Sequence, residues 1–153
     1  MTIAKRCEQL GLKLPPAPRP IAAYLPCRRS GSLLFLSGAG PIIDGVVRYR
    51  GKIGRELSLE EGYEAARLTA LNLLAVLNAE VDSLESLEAI VKVNGYVNCL
   101  DDFEQQPQVI NGASELLIQV FGDKGRHARS AVACNALPLN IPVEVEMVVQ
   151  VVS

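Results

Sequence analysis

Four residues near the end of the chain have the side chains best suited to chemistry. His127 and Arg129 precede a short apolar segment, and Glu144 and Glu146 stand at the start of a long strand-like run. Because side chains alternate across a strand, the two glutamates share one face with Val148. A guanidinium beside a carboxylate would fit a small polar substrate, but the spacing alone favours a salt bridge at the edge of a sheet.

The opposite face of the same run is an unbroken apolar stripe that some other element must cover. Its members are Val143, Val145, Met147, Val149 and Val151. Residues 137–140 form a loop between this run and the segment that contains Arg129. If the two segments pair as antiparallel strands through that loop, Arg129 and Glu144 lie close together.

Composition limits the classes of function. A net charge of −2 and 5% aromatic residues offer no electrostatic or stacking basis for binding nucleic acid or an anionic membrane. No signal peptide or membrane-spanning run is evident, so a cytoplasmic location is expected. One histidine and four well-separated cysteines, which we expect to be reduced, predict neither a metal site nor a cofactor.

The 153 residues predict one domain, residues 1–153, with a helix and a proline-rich arm at 1–20 and a body at 21–153. Ser58 and Glu61 form a capping box for a helix that is expected to run to about residue 79.

Pro107 is placed to begin a second helix and Gly122 to end it. Strands are predicted at 21–28, 33–36, 46–50, 89–98 and on both sides of the 137–140 loop.

The Asp44-Gly45 pair predicts a tight hairpin. Two main helices can cover only one face of a sheet with five or six strands. An α+β fold is therefore expected, with the second face of its sheet buried by another subunit.

Three stretches resemble the Rid family, also called the YjgF family and formerly the L-PSP endoribonuclease family. The resemblance covers roughly Tyr24 to Val151, and its last stretch is the most specific because motif and spacing both fit. The stretches are Leu34-Phe35-Leu36-Ser37-Gly38; Val91 to Val97 with Asp102-Phe103; and Ala128-Arg129-Ser130-Ala131-Val132 with Leu137-Pro138 and Val143 to Glu146.

This resemblance implies a bacillus-type, chorismate-mutase-like fold, in which two helices back a mixed sheet. It also implies a homotrimer with three clefts between subunits. The implied activity is hydrolysis of reactive enamines and imines, such as 2-aminoacrylate and its imine tautomer, to a 2-keto acid and ammonia. No cofactor is implied, because an imine is already electrophilic.

By the same resemblance, Arg129 binds the substrate carboxylate and Glu144 orients the attacking water. A guanidinium fork suits a carboxylate bidentately. Glu146 is expected to be structural. His127 stands where the family usually has proline, either near the cleft or simply bonded to a neighbour. The other implied cleft residues are Tyr24, Ser37, Gly38, Tyr96, Asn111 and Ala131, the last at a position that is often cysteine in deaminating members.

The sequence and the family resemblance suggest three functions. An imine hydrolase would use both Arg129 and Glu144, whereas a trimeric binding protein for small carboxylates or keto acids needs only the arginine. A ribonuclease is suggested by the older family name alone. The acidic balance and the lack of a second histidine to share acid and base work argue against it.

Overall fold

A computed structural model describes residues 1–19 and 22–153. The helices are α1 (Ile3–Gln9), α2 (Leu59–Glu80) and α3 (Gln106–Phe121). The strands are β1 (Cys27–Ser30), β2 (Leu33–Ala39), β3 (Ile42–Ile43), β4 (Val46–Val47), β5 (Leu87–Asn98), β6 (Ala128–Cys134) and β7 (Val143–Val151). Five of these strands form one mixed sheet in the order β1-β2-β7-β5-β6, and β3 and β4 form a separate hairpin.

The central strand β7 alternates as its sequence predicts. Its apolar stripe from Val143 to Val151 is buried, and the intervening residues from Glu144 to Gln150 are only partly buried. Helices α2 and α3 cover the buried face, and α1 packs against α2. The predicted α+β class and the mixed sheet backed by helices are confirmed.

The predicted capping signals are confirmed. The Ser58 hydroxyl accepts from the Glu61 backbone N–H, and the Glu61 carboxylate accepts from the Ser58 backbone N–H. Pro107 lies in the first turn of α3, and Gly122 ends that helix with a positive φ of 62°. Thr2 likewise caps the short α1.

The hairpin at Asp44-Gly45 is confirmed, since both residues have positive φ. Several predicted strand limits are wrong. The strand after the hairpin ends at Val47 rather than Arg50. The first strand begins at Cys27, and Ile21, where it was predicted to begin, lies outside the described residues.

Strand β6 is not where the sequence placed it. It pairs parallel with β5, and β5 in turn pairs antiparallel with β7, so β5 separates β6 from β7. The connection from β5 to β6 runs through α3, and a crossover of this kind makes neighbouring strands parallel. The predicted antiparallel pairing through the 137–140 loop is therefore wrong.

The second face of the sheet, called the open face below, bears no helix within the described residues. Phe35 and Val132 lie on this face, where their side chains are 45% and 47% exposed. The uncovered face expected from the helix count is confirmed. No described helix is long and apolar enough to cross a membrane.

A close helix–helix contact leads to a stability prediction. A Cβ added at Gly112 of α3 would lie 2.0 Å from the backbone oxygen of Tyr63 in α2. Gly112→Ala should therefore lower the free energy of unfolding by about 3 kcal/mol, despite the better helix propensity of alanine. Chemical denaturation measures the change.

The matched control is Gly62→Ala on α2. There the nearest obstacle, at 2.7 Å, is the flexible end of the Ile53 side chain. Its loss should be below about 1 kcal/mol, because a side-chain end moves more easily than backbone. Equal losses in the two variants would contradict the backbone-contact explanation.

Candidate active site

Neutral oxygen atoms of α3 hold the Arg129 guanidinium. Its Nη1 donates to Asn111 Oδ1 at 2.8 Å and to Ser114 Oγ at 3.2 Å, and Nη2 donates to the Pro107 carbonyl at 3.4 Å. Asn111 and Ser114 are three residues apart, so they share one face of the helix. The predicted site residues Arg129 and Asn111 are thus brought together.

The charge of Arg129 has no carboxylate partner among the described residues. The ion pairs found there join the Met1 amino group to Glu85 and Arg126 to Asp123. The salt-bridge alternative for Arg129 and Glu144 is therefore wrong within one chain. No described acceptor bonds to the Arg129 Nε–H, so one edge of the guanidinium remains for a ligand.

His127 extends this network. Its Nδ1 lies 2.6 Å from the Gly125 carbonyl oxygen, which can only accept, so Nδ1 has the hydrogen. In the neutral ring Nε2 is then an acceptor, and the Ser114 hydroxyl donates to it at 2.9 Å. Burial lowers the pKa of His127, the hydrogen bond to Gly125 opposes that change, and the positive charge of Arg129 lowers the pKa further.

Glu144 lies on the open face beside a β-bulge in β2. The register passes from Leu36 opposite Met147 to Ala39 opposite Val145, so β2 has one extra residue here. A Cβ added at Gly38, inside the bulge, would lie 2.9 Å from Glu144 Oε2. Glycine at this position therefore lets the backbone approach the carboxylate.

The bulge also brings Ser37 and Tyr24 to this part of the molecule. The Ser37 hydroxyl donates to the carbonyl oxygen of Leu25 at 2.6 Å, which ties the bulge to the segment before β1. Tyr24 adjoins Leu25 and is 45% exposed. Its side chain is available at the surface rather than part of the core.

Glu146 is held by neighbours, whereas Glu144 is not. Tyr96 Oη donates to Glu146 Oε1 at 2.8 Å, and Asn94 Nδ2 donates to the same oxygen at 3.3 Å. This hydrogen bond raises the pKa of Tyr96, and burial and the two glutamate charges raise it further. The structural role expected for Glu146 fits these contacts.

No described donor bonds to the Glu144 carboxylate. Burial raises the pKa of Glu144, and the negative charge of Glu146 raises it further. A carboxyl group with a raised pKa accepts and donates protons near neutral pH more readily than an ordinary glutamate.

The predicted site residues form two groups on opposite faces of the sheet. Arg129 is in register with the core residue Val93, whereas Glu144 is in register with Tyr96 on the open face. The arginine cluster consists of Arg129, Asn111, Ser114, His127 and Ala131. The glutamate cluster consists of Glu144, Glu146, Gly38, Asn94 and Tyr96.

Sequence reasoning missed Ser114 and Asn94. The helical spacing from Asn111 to Ser114 was a usable signal, since it places both side chains beside whatever that face contacts. Asn94 could have been found from its position two residues before Tyr96 on one strand face. Within the described residues, no cluster of histidine, cysteine, aspartate or glutamate is arranged to hold a metal ion.

Comparison with known proteins identifies the family. A family model described as "YjgF/chorismate mutase-like, putative endoribonuclease" matches residues 4–151. The chain belongs to this family. It is also 38% identical over 149 residues to protein TCP17 of Trypanosoma cruzi, covering 97% of this chain and 93% of that protein.

Solved structures similar to this chain agree with the fold. A Shewanella oneidensis protein described as "a putative endoribonuclease" is 32% identical, with a TM-score of 0.93 over 99% of this chain and 100% of that one. A protein of unknown function from Agrobacterium tumefaciens is 37% identical, with a TM-score of 0.88 over 98% and 92% of the two chains. The YjgF family resemblance seen in the sequence is thereby confirmed.

The raised pKa of Glu144 leads to a prediction for stability. The folded protein binds this proton more tightly than the unfolded chain, so the ionised carboxylate destabilises the fold above the folded-state pKa. Glu144→Gln should therefore raise Tm by a few degrees at pH 7. The gain should shrink as pH falls and the wild-type carboxyl becomes protonated. Thermal unfolding at several pH values measures it.

Glu146→Gln is the matched control, because it removes the same charge from the same strand face. It also weakens the acceptor for Tyr96 and Asn94, so Tm should fall. If both variants changed Tm in the same direction, burial and hydrogen bonding would not distinguish the two glutamates.

Proposed function

We propose that this protein hydrolyses small 2-imino acids to 2-keto acids and ammonia. The reaction would take place in a cleft where the arginine cluster of one copy meets the glutamate cluster of another. Membership in the YjgF family supports a Rid-type activity in general, and the contacts of this chain support the particular arrangement.

The observation that most supports this proposal is a pair of unpartnered charges. Among residues 1–19 and 22–153, the Arg129 guanidinium bonds to neutral acceptors alone and its Nε–H has no acceptor, and the Glu144 carboxylate has no donor. They lie on opposite faces of one sheet, with β5 between their strands. This arrangement favours a substrate held between two copies over one held within a single chain.

The chemistry assigned to each residue is simple. Arg129 binds the carboxylate of the imino acid and fixes the position of its C=N carbon. Glu144 takes a proton from water as the water oxygen bonds to that carbon. The C=N π electrons move to the nitrogen, which takes that proton back from Glu144. The new hydroxyl then passes its proton to the nitrogen as its oxygen forms the C=O bond, the C–N bond breaks, and ammonia departs from the 2-keto acid. The raised pKa of Glu144 suits it to return the proton that it has accepted.

A homotrimer is the assembly proposed for this cleft. Phe35 and Val132 leave apolar surface on the open face, and contact between copies would bury it. In a closed ring, every junction joins one surface of a copy to a different surface of the next copy. Such a junction can bring the arginine cluster of one copy to the glutamate cluster of the next.

The word endoribonuclease in the family description does not change this assignment. The one histidine is bonded to Gly125 and Ser114. No second histidine is available to share the acid and base work of RNA cleavage.

Replacing the arginine tests ligand binding. Arg129→Lys should weaken binding of pyruvate or 2-ketobutyrate roughly tenfold to a hundredfold, because lysine lacks the planar fork. Calorimetry measures the affinity, and circular dichroism should show an unchanged fold. Unchanged affinity would mean that Arg129 is structural.

Mixed assemblies test whether each site takes residues from two copies of the chain. Glu144→Gln alone should lower imine hydrolysis about a hundredfold to ten-thousandfold while retaining pyruvate binding. Co-expression of Arg129→Lys with Glu144→Gln should restore activity, because about one site in three of the mixed trimers then joins a wild-type arginine to a wild-type glutamate. Mixed trimers would be purified through two different affinity tags and assayed with an imino acid made in situ.

Two results would contradict the shared catalytic site. Activity equal to the mean of the two single variants would place both residues in one copy's site. Pyruvate binding without turnover by the wild-type protein would instead favour a carboxylate-binding protein.

A further inference from the structure

The hydrogen-bond chain from Arg129 to His127 has a fixed direction. Arg129 donates to the Ser114 hydroxyl oxygen, Ser114 donates to His127 Nε2, and His127 Nδ1 donates to the Gly125 carbonyl. Each donor and acceptor is used once, so the neutral imidazole fixes the rotation of the Ser114 hydroxyl. That rotation turns an oxygen lone pair toward Arg129.

We infer that His127, acting through Ser114, positions the Arg129 guanidinium for a carboxylate and that its protonation responds to carboxylate binding. This inference rests on the proposed function only in taking Arg129 as the anion-binding group. His127 and Ser114 are positioning residues, since of these three residues only Arg129 would touch the ligand.

The charged groups around the imidazole show which of them acts on the protonation of His127. On the segment before β6, Asp123 pairs with Arg126, and Lys124 donates to the Leu87 carbonyl. On α3, Glu115 is exposed and accepts from Tyr63. Arg129 is the charged group whose repulsion acts on the imidazole.

A bound carboxylate would offset that repulsion. With the anion at Arg129, the imidazolium form of His127 costs less, so its pKa should rise when ligand binds. By reciprocity, the anion should bind more tightly as pH falls through the imidazole pKa. Protonated Nε2 can still donate to Ser114 Oγ, whose second lone pair continues to accept from Arg129.

His127 is the chain's one histidine, so its imidazole signals in NMR spectra need no separation from others. The full-length protein, in its natural assembly, would be titrated with and without saturating pyruvate. The inference predicts the Nδ1–H tautomer at high pH and a higher imidazole pKa when pyruvate is bound. An unchanged pKa, or the Nε2–H tautomer, would overturn it.

Two substitutions separate positioning from titration. In His127→Asn the amide can still donate to Gly125, but no atom reaches Ser114, so pyruvate binding should weaken roughly threefold to tenfold. In His127→Gln the longer side chain restores an acceptor for Ser114, and affinity should recover. Both variants should lose the pH dependence. If the two bound pyruvate equally, the positioning role would be refuted.

A buried hydroxyl elsewhere gives the control. Thr69 Oγ1 donates only to the Ala65 carbonyl within α2, so Thr69→Val should leave pyruvate affinity unchanged. In an Arg129→Lys background, His127→Asn should have little further effect on affinity. An undiminished effect there would show that His127 does not act through Arg129.

A ligand-free measurement separates failure of this inference from failure of the proposed function. Arg129→Gln removes the nearby positive charge, so the His127 pKa should rise in the absence of any ligand. If it does not, the coupling is absent. If it does but wild-type protein binds no pyruvate at any pH, the coupling stands and the proposed carboxylate function fails.

Discussion

The arrangement of this molecule depends on one interposed strand. Because α3 connects β5 to β6 as a parallel pair, β5 lies between the strand of Arg129 and the strand of Glu144. The register of the two pairings, with Arg129 opposite Val93 and Glu144 opposite Tyr96, puts the two groups on opposite sides of the sheet. Neither group has an opposite charge as a partner in the part of the chain that the structure describes, so each is available to a ligand or to another copy.

An unpartnered charge that is partly buried opposes folding, and the surroundings of these two groups reflect that cost. Arg129 is satisfied by three neutral oxygens of α3, which fix its direction without cancelling its charge. Glu144 has no such support, and its pKa is raised. Glu146, two residues further along, is stabilised by Tyr96 and Asn94. The two glutamates on one face of β7 therefore have different environments.

Much of the fold could be predicted from local patterns. The apolar stripe of β7, the capping box at Ser58 and the Asp44-Gly45 turn each depend on near neighbours in sequence, and each was confirmed. The position of β6 depends on which distant strand it joins. The short 137–140 loop suggested a hairpin, whereas the preceding helix crossover decided the pairing.

The candidate site was predictable in its members but not in its geometry. Family resemblance pointed to Arg129 and Glu144, and no local signal could show that a sheet separates them. Ser114 was overlooked although it lies one helical turn from Asn111, because serine has no chemistry of its own that marks it as a site residue. Its link to His127 comes from the packing of α3 against the start of β6.

A crystal structure of the assembled protein with bound pyruvate would show whether one ligand is shared by Arg129 of one copy and Glu144 of another. We expect the pyruvate carboxylate on the Nε–Nη2 edge of Arg129, at about 3 Å, with Glu144 of a neighbouring copy beside the keto carbon. Pyruvate held by Arg129 with no neighbouring Glu144 in reach, or an Arg129 edge occupied by a carboxylate of another copy, would contradict this expectation.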